Sequence, residues 1–170
     1  MAVFNCLWGA AIASRSISYA SQEGQEHLRI ELTPLDIIGS RDERPVVVGN
    51  KVRLRVTAKN DSDQRIMIII IDSYYQNRPR LYRDGKLVPY RSQITKVVQS
   101  KDSRPVFVTD PGDLVVEPYS SVTLPNLDLN EWYGPLQPGS YRLINRYRFN
   151  FEGHWSADSA PIEFRVKTQP

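Results

Sequence analysis

The turn Leu136-Gln137-Pro138-Gly139 and the strand that follows it constrain this chain most. Apolar or aromatic residues hold the odd positions Tyr141, Leu143, Tyr147 and Phe149, while Arg142, Arg146 and Arg148 hold even ones. A period of two is what a strand with one covered face imposes, and no helix can satisfy it. Ile144 and Asn145 interrupt the alternation. A Pro-Gly turn feeding a half-buried strand belongs to an antiparallel sheet packed on one side.

The same signature recurs along the chain. Leu28, Ile30 and Leu32 alternate with Arg29 and Glu31 until Pro34, which places that strand at an edge or ends it. Val46 to Val48 and then Val52, Leu54 and Val56 read as a second strand. Ile66 to Ile71 is apolar on both faces and must be central and covered, since an exposed run of this kind templates aggregation. Asp84-Gly85 suits the positive φ angles of a type I′ turn and predicts a hairpin from Leu81 to Val88. Asp113 to Glu117, Ser121 to Leu129 and Ile162 to Val166 supply further strands. From His27 onward no segment keeps helical periodicity long enough to prefer a helix, and residues 91–112 are the least defined stretch.

At 170 residues, 41% of them hydrophobic, the chain suits one domain with its own core. Residues 1–20 read as a secretory signal or disordered leader, 21–27 as a linker and 28–170 as a single β-sandwich domain. Ala2 to Ala13 is apolar, too short to span a bilayer, and followed by small residues, although the first charge, Arg15, lies on the wrong side of it. This leads to an expectation of a secreted or periplasmic chain whose mature form does not insert into a membrane. Cys6 is the lone cysteine, so no intrachain disulfide forms. The net charge of +3 is interspersed with acids, which argues against a nucleic-acid partner.

A tyrosine that enters a strand just after L-x-P-G resembles the tyrosine corner of immunoglobulin-like and fibronectin-type sandwiches. With Asn60-Asp61-Ser62, Asp84 to Tyr90, the Ser121-Val122-Thr123-Leu124 strand and Leu129 to Tyr141, the chain resembles an immunoglobulin-like accessory domain. The order is similar to the β-sandwich preceding the catalytic part of deuterolysin-type metallopeptidases and to stand-alone bacterial domains. The resemblance covers roughly residues 60–149 and implies an all-β, immunoglobulin-like antiparallel two-sheet sandwich of about seven to nine strands. No H-E-x-x-H is present, and His27 and His154 are the only histidines, so none of the peptidase chemistry carries over.

No hydrolase, phosphate-loop, dinucleotide or C-x-x-C motif occurs, and neither catalytic residues nor a cofactor nor a metal site is expected. Asp61 and Asp63 could ligate calcium, but turns use such residues to bond their own backbone; Asn60-Asp61-Ser62 also spells a glycosylation sequon. Tyr74, Tyr75, Arg78, Arg80, Tyr82 and Arg83 combine the residue types that dominate interface hot spots beside a stiff turn. Trp155, on a turn, is either a contact residue or folded back over the end of the sandwich. The expected function is a non-catalytic binding or accessory module of an exported protein that engages a protein partner through this hairpin. The alternative is a carbohydrate-binding module that stacks sugars on Trp155, Trp132 or the Tyr74-Tyr75 pair.

Overall fold

The computed structural model describes residues 18–19, 26–35, 46–48, 51–103, 112–151 and 154–167. The chain order is β1 (Ser18–Tyr19), β2 (Leu28–Pro34), β3 (Val46–Val48), β4 (Arg53–Asn60) and β5 (Ile66–Ile70). Helix α1 (Ser73–Gln76), β6 (Arg80–Arg83), β7 (Lys86–Leu87) and α2 (Ser92–Ser103) follow. The chain then forms β8 (Gly112–Val116), β9 (Ser121–Asp128), α3 (Leu129–Tyr133), β10 (Gly139–Ile144) and β11 (Ile162–Lys167). The fold is mostly β, and its pairings are antiparallel except β1 with β5 and β3 with β11.

Hydrogen bonding divides the strands into three sheets, β3-β11-β10-β6-β7, β2-β4-β9 and β1-β5-β8, where two were expected. Asn60 shows why. Its fully buried amide donates to the carbonyls of Gln64, Val116 and Glu117, and its Oδ1 accepts from the backbone and hydroxyl of Ser62. Both edges of β4 are already paired, to β2 and β9, so β8 joins it through this side chain and not through a backbone ladder. The sequon asparagine's amide is thus engaged, and Asp61 pairs with Arg29 and Lys59.

One hydrophobic cluster joins all three sheets, with Leu28, Leu54, Val56, Ile68, Leu81, Val116, Leu124, Leu127, Leu143 and Phe164 among its members. Alternation puts them there: β4 reads exposed-buried along Arg53 to Val56, and β11 does so along Glu163 to Val166. Tyr141, Leu143, Tyr147 and Phe149 are all buried, as their period predicts. Tyr141 stacks on Phe164 across the β10–β11 pair, ring centroids 5.4 Å apart, and its hydroxyl donates to the Gln137 carbonyl at 2.6 Å. Tyr141→Phe should cost about 0.5 to 1.5 kcal/mol, the worth of one such bond, measured by urea unfolding.

Several expectations change. Val46 to Val48 and Arg53 to Asn60 are two strands in different sheets, not one. Ile69 and Ile70 are only half-buried, because β5 ends at the rim of the core. The stretch from Ser92 is a twelve-residue helix. Its only buried side chains are Ile94 and Val98, one helical turn apart, so the apolar stripe is too narrow to register as periodicity. The cleavage site near Ser21, the linker before Glu26, Cys6 and most of residues 1–20 lie outside the described residues. Ser18–Tyr19 pair in parallel with Ile66–Met67, so a cut before Ser21 would open that edge of β5.

Candidate functional site

The seven candidate residues fall into three places. Tyr74 belongs to the core: it packs on Trp132 at 5.2 Å, as does Tyr90, and Trp132 is fully buried. Trp132 therefore offers no contact surface, which corrects its assignment as a sugar platform, whereas Tyr74 packs against the core and stays half-buried.

Tyr75, Arg78 and Trp155 come together beyond the ends of β6 and β10. Asp72 caps α1 by accepting the Tyr75 amide, and the helix ends after Gln76. The next residues run antiparallel to 145–149 through a bridge between Asn77 and Tyr147, with Arg78 N–H bonded to the Arg146 carbonyl and Arg148 N–H to the Gln76 carbonyl. On the far side Ser156 N–H reaches the Tyr147 carbonyl, and Tyr147 N–H donates to the Ser156 hydroxyl. Three short extended segments thus lie side by side. Tyr147 and Phe149 point to the core, so Arg146 and Arg148 project from the opposite face beside Arg78 and Trp155.

The guanidinium carbons of Arg148, Arg146 and Arg78 stand 4.0, 4.7 and 4.8 Å from the Trp155 ring centroid. Arg148 also covers Tyr75 at 4.8 Å. One oxygen of Asp102, at the end of α2, meets Arg78 at 2.6 Å and Arg148 at 3.1 Å. Arg78 is buried, and its remaining donors go to the carbonyls of Tyr74, Tyr75 and Asn77. Burial lowers its pKa below the usual arginine value and neighbouring Arg148 adds to this, while Asp102 opposes the change. Trp155 is therefore half-buried under arginines: a folded-back indole rather than an open platform. Arg80 leaves this group and pairs with Asp158.

Tyr82 and Arg83 lie at the other end of β6, next to the hairpin turn. Asp84 and Gly85 take φ values of 49° and 80°, as a type I′ turn requires. Arg83 donates to the Pro138 carbonyl at 2.8 Å, and a Cβ on Gly139 would stand 2.8 Å from Arg83 Nε, so only glycine lets the two loops close up. Tyr82 lines a recess of about 430 Å³ with Arg142 and Glu163, its neighbours across β10 and β11. A second groove of about 520 Å³ runs under the hairpin between Leu87, Val88 and Pro89 on one side and Tyr133 and Leu136 on the other. Tyr133 is pinned there: its hydroxyl donates to the Pro79 carbonyl and accepts the Leu81 amide.

Sequence reasoning missed Leu87, Arg146, Arg148 and Asp102 as site residues. The arginines' outward phase was readable from the alternation, but which strands flank them was not.

No protein-family model matches the sequence, and comparison with curated proteins finds no match. Among solved structures the chain is similar to part of a β-glucosidase from Listeria innocua, in a D270A mutant complex with laminaribiose and in a complex with isofagomine. Identity is 16% in both, with TM-scores of 0.35 and 0.37 over 83% and 82% of this chain. The matched part is 16% of the length of those chains.

Proposed function

We propose that this chain is an immunoglobulin-like sandwich acting as a non-catalytic binding module, which holds an extended, acidic segment of a protein partner against the β6–β7 end. Leu87 carries the reading. It is 61% exposed on the outermost strand of the five-stranded sheet, at the lip of the 520 Å³ groove. A large aliphatic side chain held out by a rigid turn, next to an open strand edge, offers an anchor and backbone hydrogen-bonding groups together. Arg83 and Lys86 flank the groove, and although Asp84 lines it too and pairs with Arg83, the balance of one positive charge favours carboxylates in the partner. The immunoglobulin-like assignment is supported by the Tyr141–Gln137 bond at the L-x-P-G-x-Y corner. The non-catalytic part rests on the missing sequence motifs. The carbohydrate alternative is less well supported, because Trp132 is inside the core, Tyr75 is buried and Trp155 is covered by guanidinium groups.

The test is selection of displayed peptides on the immobilised chain, with a glycan array in parallel. Selected peptides should be apolar and acidic, and Leu87→Asp should weaken them about tenfold or more while leaving the melting temperature unchanged. Peptide binding indifferent to Leu87→Asp would remove this surface from consideration. Glycan binding with no peptide enrichment would restore the sugar reading.

A further inference from the structure

The arginine group around Trp155 is independent of the hairpin and is incomplete as it stands. Three guanidiniums share one indole, and a single carboxylate, Asp102, answers two of them through one oxygen. The nearby acids are engaged elsewhere, Asp72 with Lys101 and Asp158 with Arg80. Among the described residues, three positive charges stand against one negative, which is a balance of +2. Arg146 makes no ion pair among the described residues, and the Nε atoms of Arg146 and Arg148 are buried without an acceptor. Indole faces attract guanidiniums, but they do not cancel the repulsion among three of them, and buried N–H donors without acceptors are costly.

We infer that the Arg146–Arg148 edge of this stack binds a phosphate-type oxyanion. A dianion balances the charge, and its oxygens suit the forked donors of guanidinium groups. The alternation along 145–149 puts both arginines on one face, where Arg146 is partly exposed and the Arg148 side chain keeps 12% of its surface, so an anion would reach the outer edge of the group while the Nε atoms lie beneath it. Arg78 adds charge, while its Nη1 bonds to backbone carbonyls and its Nη2 to Asp102.

The arginine Nε–H resonances of the full chain report the site directly. Inorganic phosphate should shift those of Arg146 and Arg148, whereas sodium chloride at matched ionic strength should not. Binding should strengthen as pH rises through the second pKa of inorganic phosphate, about 7, and for the phosphoserine ester about 6, whereas sulfate, already a dianion, should bind without that dependence. Arg146→Gln should weaken phosphate about tenfold, and Arg83→Gln, at the hairpin, should leave it unchanged. A short phosphoserine peptide separates the sources: tighter binding than inorganic phosphate assigns the site to a phosphorylated partner, and equal binding assigns it to the free anion. If phosphate and chloride give the same shifts, or if Arg146→Gln binds phosphate like the wild type, the group is a structural staple and the inference fails. Should Arg146→Gln not fold, the wild-type comparison of phosphate with chloride decides.

Discussion

Replacing Leu143 by alanine should lower the free energy of unfolding by about 2 to 5 kcal/mol, read from urea denaturation. Leu143 is completely buried near the C-terminal end of β10, the middle strand of its sheet, paired with Ile162 on one side and Leu81 on the other. Its removal opens a cavity between strands whose backbones are fixed by hydrogen bonds on both flanks and cannot collapse to fill it. Ile70→Ala is the internal control. Ile70 ends β5 and is only half-buried, so its truncation should cost clearly less than that of Leu143. Equal losses, or a loss below about half a kcal/mol at Leu143, would show that the strand register is not the one described.

Stability should also fall steeply in alkali. Burial raises the pKa of Tyr74, Tyr90, Tyr133, Tyr141 and Tyr147 above the ordinary value of 10.0. For Tyr133 the charge of Tyr90 adds to burial, opposed by the Leu81 amide, and for Tyr147 burial acts alone. Below pH 10 both folded and unfolded chains keep these protons, so nothing is lost. Above it the unfolded tyrosines ionise while the folded ones stay neutral, and each such residue costs about 1.4 kcal/mol per pH unit. Tyr133 and Tyr147 together give about 2.7 kcal/mol per unit, enough to unfold a domain of ordinary stability within a few units. The urea midpoint should drop on going from pH 8 to 11, with the phenolate absorbance of Tyr133 and Tyr147, read as the difference from their Phe variants, appearing only as the chain unfolds. Tyr147→Phe should reduce that slope. A flat midpoint across this range would mean that these rings ionise in place.

Much of the architecture was legible because a strand reports its buried face in its own sequence. Arg53 to Val56, Tyr141 to Leu143 and Ile162 to Val166 alternate, and all three do so in the structure. Asp84-Gly85 likewise announces its turn, since few other residue pairs accept two positive φ angles. The helix at Ser92–Ser103 was not legible. Two buried residues suffice there because Lys101 and Asp102 tie it to Asp72 and Arg78, and those pairings are remote in sequence.

The candidate sites divide along the same line. Residue type and spacing alone determined that tyrosines and arginines would crowd 74–83 and that Arg146 and Arg148 would face outward, because side-chain direction in a strand is local. Only the tertiary structure decided which of them meet. It packed a half-buried Tyr74 on Trp132, set Tyr82 in the recess beside Arg142 and Arg83 in the groove beside Leu87, and brought Arg78, Arg146 and Arg148 around Trp155. The reason is physical: neighbours across a sheet are set by strand order and register, which depend on the hydrogen-bonding and packing of the whole chain and leave no local mark on any one strand.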